Sequence, residues 1–212
     1  MARRPAYRRA RRGRKTHVKL TLGLTAALLL CAATAHAQDV SVGVRAGFNV
    51  ANVSIDDPGD ISDPKNRTAF VAGVFVTVPA SGLLAFQPEL LFSMQGAKLT
   101  DGSDSASLKL DYVQVPLLAR IKPAKSPVGI VVGPALGFRT RAKLSVEGED
   151  QELDFKDQVK GNDVGFVTGV VVDVAHVVLD GRYTWGLKNI AADPDDGEVK
   201  NRVFSVTLGF RF

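Results

Sequence analysis

Cysteine is nearly absent: of 212 residues only Cys31 carries a thiol. A lone cysteine allows no disulfide framework within the chain. Histidine is also scarce, with His17, His36 and His176 alone. No apolar run approaches the roughly 20 residues of a membrane-spanning helix, and the mean hydropathy is +0.06, far below that of a helical membrane bundle. Phosphate-cradling and dinucleotide-binding glycine motifs are missing, and so is any Cys/His metal cluster. Asp193-Pro194-Asp195-Asp196-Gly197-Glu198 lacks calcium-loop spacing, because its glycine falls at the fifth position. Sustained helical periodicity is missing after residue 38. What is present is a hydrophobic content of 45%, too high for disorder and compatible with one domain or two small ones.

Acidic residues are missing from one end. Residues 1–37 hold nine of the 27 Lys+Arg (Arg3, Arg4, Arg8, Arg9, Arg11, Arg12, Arg14, Lys15 and Lys19) and no Asp or Glu. The remaining 18 basic and 22 acidic residues give 38–212 a net charge of −4, although the whole chain is formally +5. The basic balance therefore points to export and not to a nucleic-acid partner. A cationic start, an apolar run over 20–33 and Ala35-His36-Ala37 before Gln38 have the layout of a secretory signal peptide. The expected division is a cleaved signal over 1–37 and one domain over 38–212. A retained anchor and an organellar presequence are the alternatives. Leu30 before Cys31 disfavours a lipoprotein, and Arg11-Arg12 lacks the flanking residues of a twin-arginine signal. Export by the general secretory route is the reading that remains. Cleavage after Ala37 leaves a chain without cysteine.

The dominant pattern of that chain is alternation with a period of two. Phe204, Val206, Leu208, Phe210 and Phe212 share one face of the last segment; Val203, Ser205, Thr207, Gly209 and Arg211 share the other. The same pattern predicts eight strands over 40–53, 67–78, 83–97, 107–121, 128–142, 164–174, 177–187 and 202–212. Strands of about ten residues suit a tilted bilayer crossing. Long connections over 54–66, 98–106, 143–163 and 188–201 alternate with short ones over 79–82, 122–127 and 175–176. An up-and-down barrel puts the two kinds at opposite ends. The first, third and fourth long connections are acidic; 122–127 carries Lys122 and Lys125 without an acid.

Glycine decides which face points inward. Gly43, Gly47, Gly73, Gly129, Gly133, Gly137, Gly165, Gly169, Gly186 and Gly209 mostly share the polar face. A narrow interior favours small residues, whereas a solvated exterior has no reason to. The aliphatic face then points outward, which only lipid tolerates, and in lipid the sheet must close. The expected fold is all-β: an eight-stranded antiparallel up-and-down transmembrane barrel. A soluble lipocalin-like barrel is the alternative.

On the inward phase fall Arg45, Glu89, Arg120, Asp173, Asp180, Arg182, Arg139 and Arg141. They read either as a pore lining or proton path or as an ion-pair network filling the barrel. The second is favoured because eight strands leave room for little beyond side chains. Trp185, Tyr183, Tyr112, Phe86 and Phe212 are expected in interfacial aromatic girdles. Pro88, Pro116 and Pro134 sit within expected strands, where bulges or register shifts are anticipated.

Several segments resemble the outer-membrane β-barrel family of porin-like proteins that includes the PorT group. They are Phe86-Gln87-Pro88-Glu89-Leu90-Leu91-Phe92-Ser93 with Gly96, and Leu110-Asp111-Tyr112-Val113-Gln114-Val115-Pro116-Leu117-Leu118. Gly133-Pro134, Asp163-Val164-Gly165 with Gly169, and Arg182-Tyr183 with Gly186-Leu187, Asn189 and Ile190 look like its later strands. Gln114 stands where that family usually has Glu. The resemblance implies the outer membrane of a Gram-negative-type bacterium, with outer-membrane lipid and an unknown extracellular or secretion partner as neighbours. Phe210-Arg211-Phe212 resembles the terminal signal read by barrel assembly machinery, which implicates Phe210 and Phe212. The expected role is structural, surface-interacting or accessory to assembly or secretion. The alternatives are a narrow channel or small-ligand barrel and, third, a lipid-modifying enzyme. No catalytic residue, cofactor or metal is expected, because hydrolytic chemistry commonly needs a His base and His176 falls at the short-turn end, away from the long loops.

Overall fold

The computed structural model describes residues 40–56, 65–101, 104–123, 125–146, 152–154, 156, 159–191 and 198–212, all within the unit Asp39–Phe212. The signal segment expected over 1–37 and the parts 57–64, 147–151, 155, 157–158 and 192–197 of the three acidic loops lie outside the described residues. The strands are β1 (Ser41–Asp56), β2 (Lys65–Pro79), β3 (Leu84–Asp101), β4 (Asp104–Ile121) and β5 (Val128–Val146). A three-residue β6 (Glu152–Asp154) precedes β7 (Asn162–Val174), β8 (Val177–Gly186) and β9 (Glu198–Arg211). Each long strand pairs antiparallel with its sequence neighbour, β5 with β7, and β9 returns to β1 from Gly43↔Arg211 to Asp56↔Glu198. The eight long strands form a closed barrel, and β6 is an addition to the upper end of β5.

Alternation produces the two faces. Val42, Val44, Phe48, Leu179, Phe204, Val206, Leu208 and Phe210 are exposed on the outside. Arg45, Asn49, Asp180, Arg182, Val203 and Thr207, from the same three strands, are buried inside. The glycines make tight curvature possible. A Cβ on Gly47 would lie 2.0 Å from the Val206 carbonyl oxygen, and one on Gly73 2.0 Å from that of Leu90. Gly43 and Gly209 leave space for Phe75, whose ring atoms would lie 2.3 and 3.3 Å from their added Cβ atoms. The interior is nevertheless not wholly polar. Leu118, Val131, Ala135, Val167 and Val171 form an apolar cluster on β4, β5 and β7.

Four expectations need correction. The second long connection, 98–106, is a continued hairpin: β3 and β4 stay paired through Leu99↔Ala106 to Asp101↔Asp104. Arg141 does not point inward. The β4–β5 register shifts between Asp111 and Tyr112, which pair with Arg141 and Arg139, so Thr140 is an extra residue on β5. One inserted residue reverses the faces beyond it; Ala142 is buried and Arg141 is exposed. The prolines cause no register shift. Pro88↔Leu117, Pro116↔Ala135 and Pro134↔Phe166 are regular pairs, while the shifts fall at Asn66/Val71 and Asp111/Tyr112. A missing N–H removes one ladder bond without moving the strand, because the two-faced pattern on either side holds the register. Finally, Tyr112 is not in an aromatic girdle but buried inside at 1% exposure, whereas Trp185, Phe86 and Phe212 are exposed outside.

Candidate functional site

The barrel interior is the candidate site. At its centre, Arg182 from β8 grips Glu89 from β3 with two parallel bonds, Nη1 to Oε2 at 2.7 Å and Nη2 to Oε1 at 2.9 Å. Two residues earlier on β8, Asp180 lies on the same face and takes a 2.8 Å bond from Arg182 Nη2. Arg45 from β1 completes the group, 3.4 Å from Asp180 and 3.5 Å from Glu89. Its guanidinium also sits 4.6 Å above the centre of the Phe75 ring, a cation–π contact. Two cations and two anions cancel, which buried charge requires.

Neutral amides extend the network toward the short turns. Gln87 donates to Glu89 Oε1 at 2.6 Å and accepts from Arg120 Nη1 at 3.1 Å. Arg120 from β4 also bonds Asp173 Oδ2 from β7, and Lys122 reaches the same oxygen at 3.2 Å. In the other direction Asn49 donates to Ser93 at 2.9 Å and accepts from Ser205 at 2.7 Å. The structure thus brings Arg45, Glu89, Arg120, Asp173, Asp180 and Arg182 into one connected chain. Arg141 stands apart, 3.7 Å from Asp111 on the outside. Phe210 on β9 and Phe212 just beyond its end are exposed on the outside with ring centres 5.3 Å apart.

Sequence reasoning missed the cap at the long-loop end. Val159 and Ala191 form an isolated bridge, and Ile190 exchanges backbone bonds with Lys160 at 2.7 Å and Val199 at 2.9 Å. Asn189 Oδ1 accepts from the Ala191 and Val199 amides at 3.0 Å each. Ile190 is thereby buried with Val159, Leu110, Tyr112 and Ala142. Just beneath, Asn201 donates to Asp163 at 2.7 Å and to Tyr112 at 3.4 Å. An isoleucine within an otherwise polar loop was the available signal. Outside this cap, exposed Asp154 has its carboxyl held below the usual range by hydrogen bonds from the Lys156 side chain and amide.

This arrangement can fill a barrel but leaves little room for transport. A cavity beside Arg45, Arg182, Ser205 and Thr207 has a volume near 20 Å³, room for about one water. His176 occupies the short turn, stacked on Phe210 at 5.7 Å and 3.0 Å from the Arg211 carbonyl. Among the described residues no group of three His, Cys, Asp or Glu is placed to hold a metal.

The family model for "Outer membrane protein beta-barrel domain" matches residues 36–192, which leaves β9 beyond the match. No curated protein matches the chain. Among solved structures, Neisserial surface protein A is similar at 18% identity and a TM-score of 0.53, covering 82% of this chain and 100% of its own. Ail, the attachment invasion locus protein of Yersinia pestis, solved with the heparin analogue sucrose octasulfate, is similar at 15% identity and a TM-score of 0.51. That match covers 82% of this chain and 100% of Ail. At such identities the likeness is one of fold.

Proposed function

This chain belongs to the outer membrane protein β-barrel domain family, and on that premise we propose that it is a closed-lumen scaffold presenting its long-loop end to an extracellular or secretion partner. Membership implies the Gram-negative outer membrane. The filled interior carries the proposal: Arg45, Glu89, Asp180 and Arg182 occupy the centre, and Ile190 caps one mouth. A surface role is supported by the shared fold with Ail, which was solved with a sulfated ligand. In this reading 1–37 is an export signal, and barrel assembly machinery engages Phe210 and Phe212. The reading assigns no catalysis; His176 lies in the turn between β7 and β8, not among the long loops.

Planar-bilayer recording of the refolded protein tests the closed lumen. The expected trace shows no stepwise conductance. Reproducible open levels that persist as the protein is purified would favour the channel reading instead.

A further inference from the structure

We propose that the short-turn mouth of the barrel is a binding site for a phosphate group. A bowl of about 180 Å³ opens there, with Arg120, Lys122 and Arg211 in its wall beside the hydroxyls of Ser41, Thr77 and Ser81. The inference goes beyond the scaffold role and does not depend on it.

Charge carries the argument. Arg120 and Lys122 share a single carboxylate oxygen, Oδ2 of Asp173. Arg211 spends one N–H on the Ala175 carbonyl at 3.3 Å, out of the five that a guanidinium carries. Three cationic side chains therefore face one acidic side chain in this network, an excess of two positive side-chain charges. The central group farther up the barrel is neutral, so it does not absorb that excess. A phosphate monoester carries about −1.5 to −2 at neutral pH and three acceptor oxygens. It matches both the excess and the donors.

Position and preorganisation support the same assignment. Arg120 is buried and held from two sides, by Gln87 and Asp173, so one cation stays fixed without a ligand. Lys122 and Arg211 are only partly exposed and line the open side. Leu83 and Leu84, both exposed, form an apolar lip beside the hydroxyls. That lip accommodates the carbon portion of a phosphate ester. Two sources supply a phosphate group: a soluble phosphate monoester reaching the mouth from the periplasm, and the headgroup of an inner-leaflet phospholipid, a diester that brings one negative charge and two free oxygens and so offsets half of the excess.

The test uses the full mature chain in octyl glucoside micelles, which contain no phosphate. Inorganic phosphate is titrated while amide resonances are followed, with sodium chloride of equal ionic strength as the control. A parallel titration uses phosphatidylglycerol in mixed micelles. Saturable shifts at Ser41, Ser81 and Lys122 with phosphate support a soluble source; the same shifts with the lipid alone support a headgroup. The double variant Lys122→Gln with Arg211→Gln is expected to weaken either titration at least tenfold while keeping its heat-modifiable gel shift. Lys125→Gln, on the same turn but outside the bowl, is expected to bind normally. The proposal is overturned if neither titration saturates, if chloride gives the same shifts, or if the double variant binds as the parent does.

Discussion

Glu89 shows most clearly what a single residue does in this barrel. It accepts both arms of Arg182 and a further bond from Gln87, and it neighbours Arg45. Glu89→Gln keeps the size and removes the charge, leaving two guanidiniums against Asp180. Breaking a buried pair by losing one partner costs about 3–5 kcal/mol. Urea unfolding in lipid vesicles should report that loss. Adding Arg45→Gln restores neutrality between Arg182 and Asp180, and part of the stability should return. The inward placement of these charges was legible, because strand period alone puts Arg45, Glu89, Asp180 and Arg182 on the glycine face. The neutral links were not. Gln87, Asn49 and Ser93 carry no charge pattern to single them out. Phe75 shares the inward phase of Gly73, but the room for its ring, left by Gly43 and Gly209 on two other strands, is set by pairing and not by the sequence of β2.

Strands and turns give the next set of expectations. Leu208 lies on the outer face of β9 at 59% exposure. Leu208→Arg should destabilise the inserted barrel by about 2–4 kcal/mol if it sits near the bilayer midplane. Undiminished assembly into vesicles would mean that the faces are reversed. The two-residue turn between β7 and β8 holds Ala175 at φ 51°, a left-handed conformation that costs an L-residue about 1–2 kcal/mol. Ala175→Gly relieves this but adds freedom to the unfolded chain. A net gain of about 0.5–1 kcal/mol is expected in the same unfolding assay.

The elements also show where periodicity stops being informative. Eight long strands and their faces follow from alternation, but a one-residue insertion is invisible to it. Thr140 and the irregularity near Asn66 depend on how two strands pair, not on either sequence alone. That is why Arg141 is misplaced by alternation while Arg139, just below the insertion, is not; Tyr112 shares the inward phase of Arg120 on β4, so alternation itself places it inside. Leu99 and Ala106 are the only apolar residues of 98–106, too few to show a strand period, yet residues 98–101 pair across the hairpin with 104–107.

At the scale of the whole molecule, the aliphatic residues form an outer band and the charges lie within. A soluble barrel would reverse this arrangement. The first 37 residues carry +9 and the remainder −4, which together give the formal +5. The lone tryptophan offers a direct probe of the outer band. Trp185 points outward, 4.7 Å from Tyr183 and beside Phe166. With the protein refolded into vesicles, phospholipids brominated on their acyl chains should strongly quench Trp185 fluorescence, and aqueous iodide should do so weakly. Strong quenching by iodide with none from the brominated lipid would contradict a barrel whose aliphatic face meets the membrane.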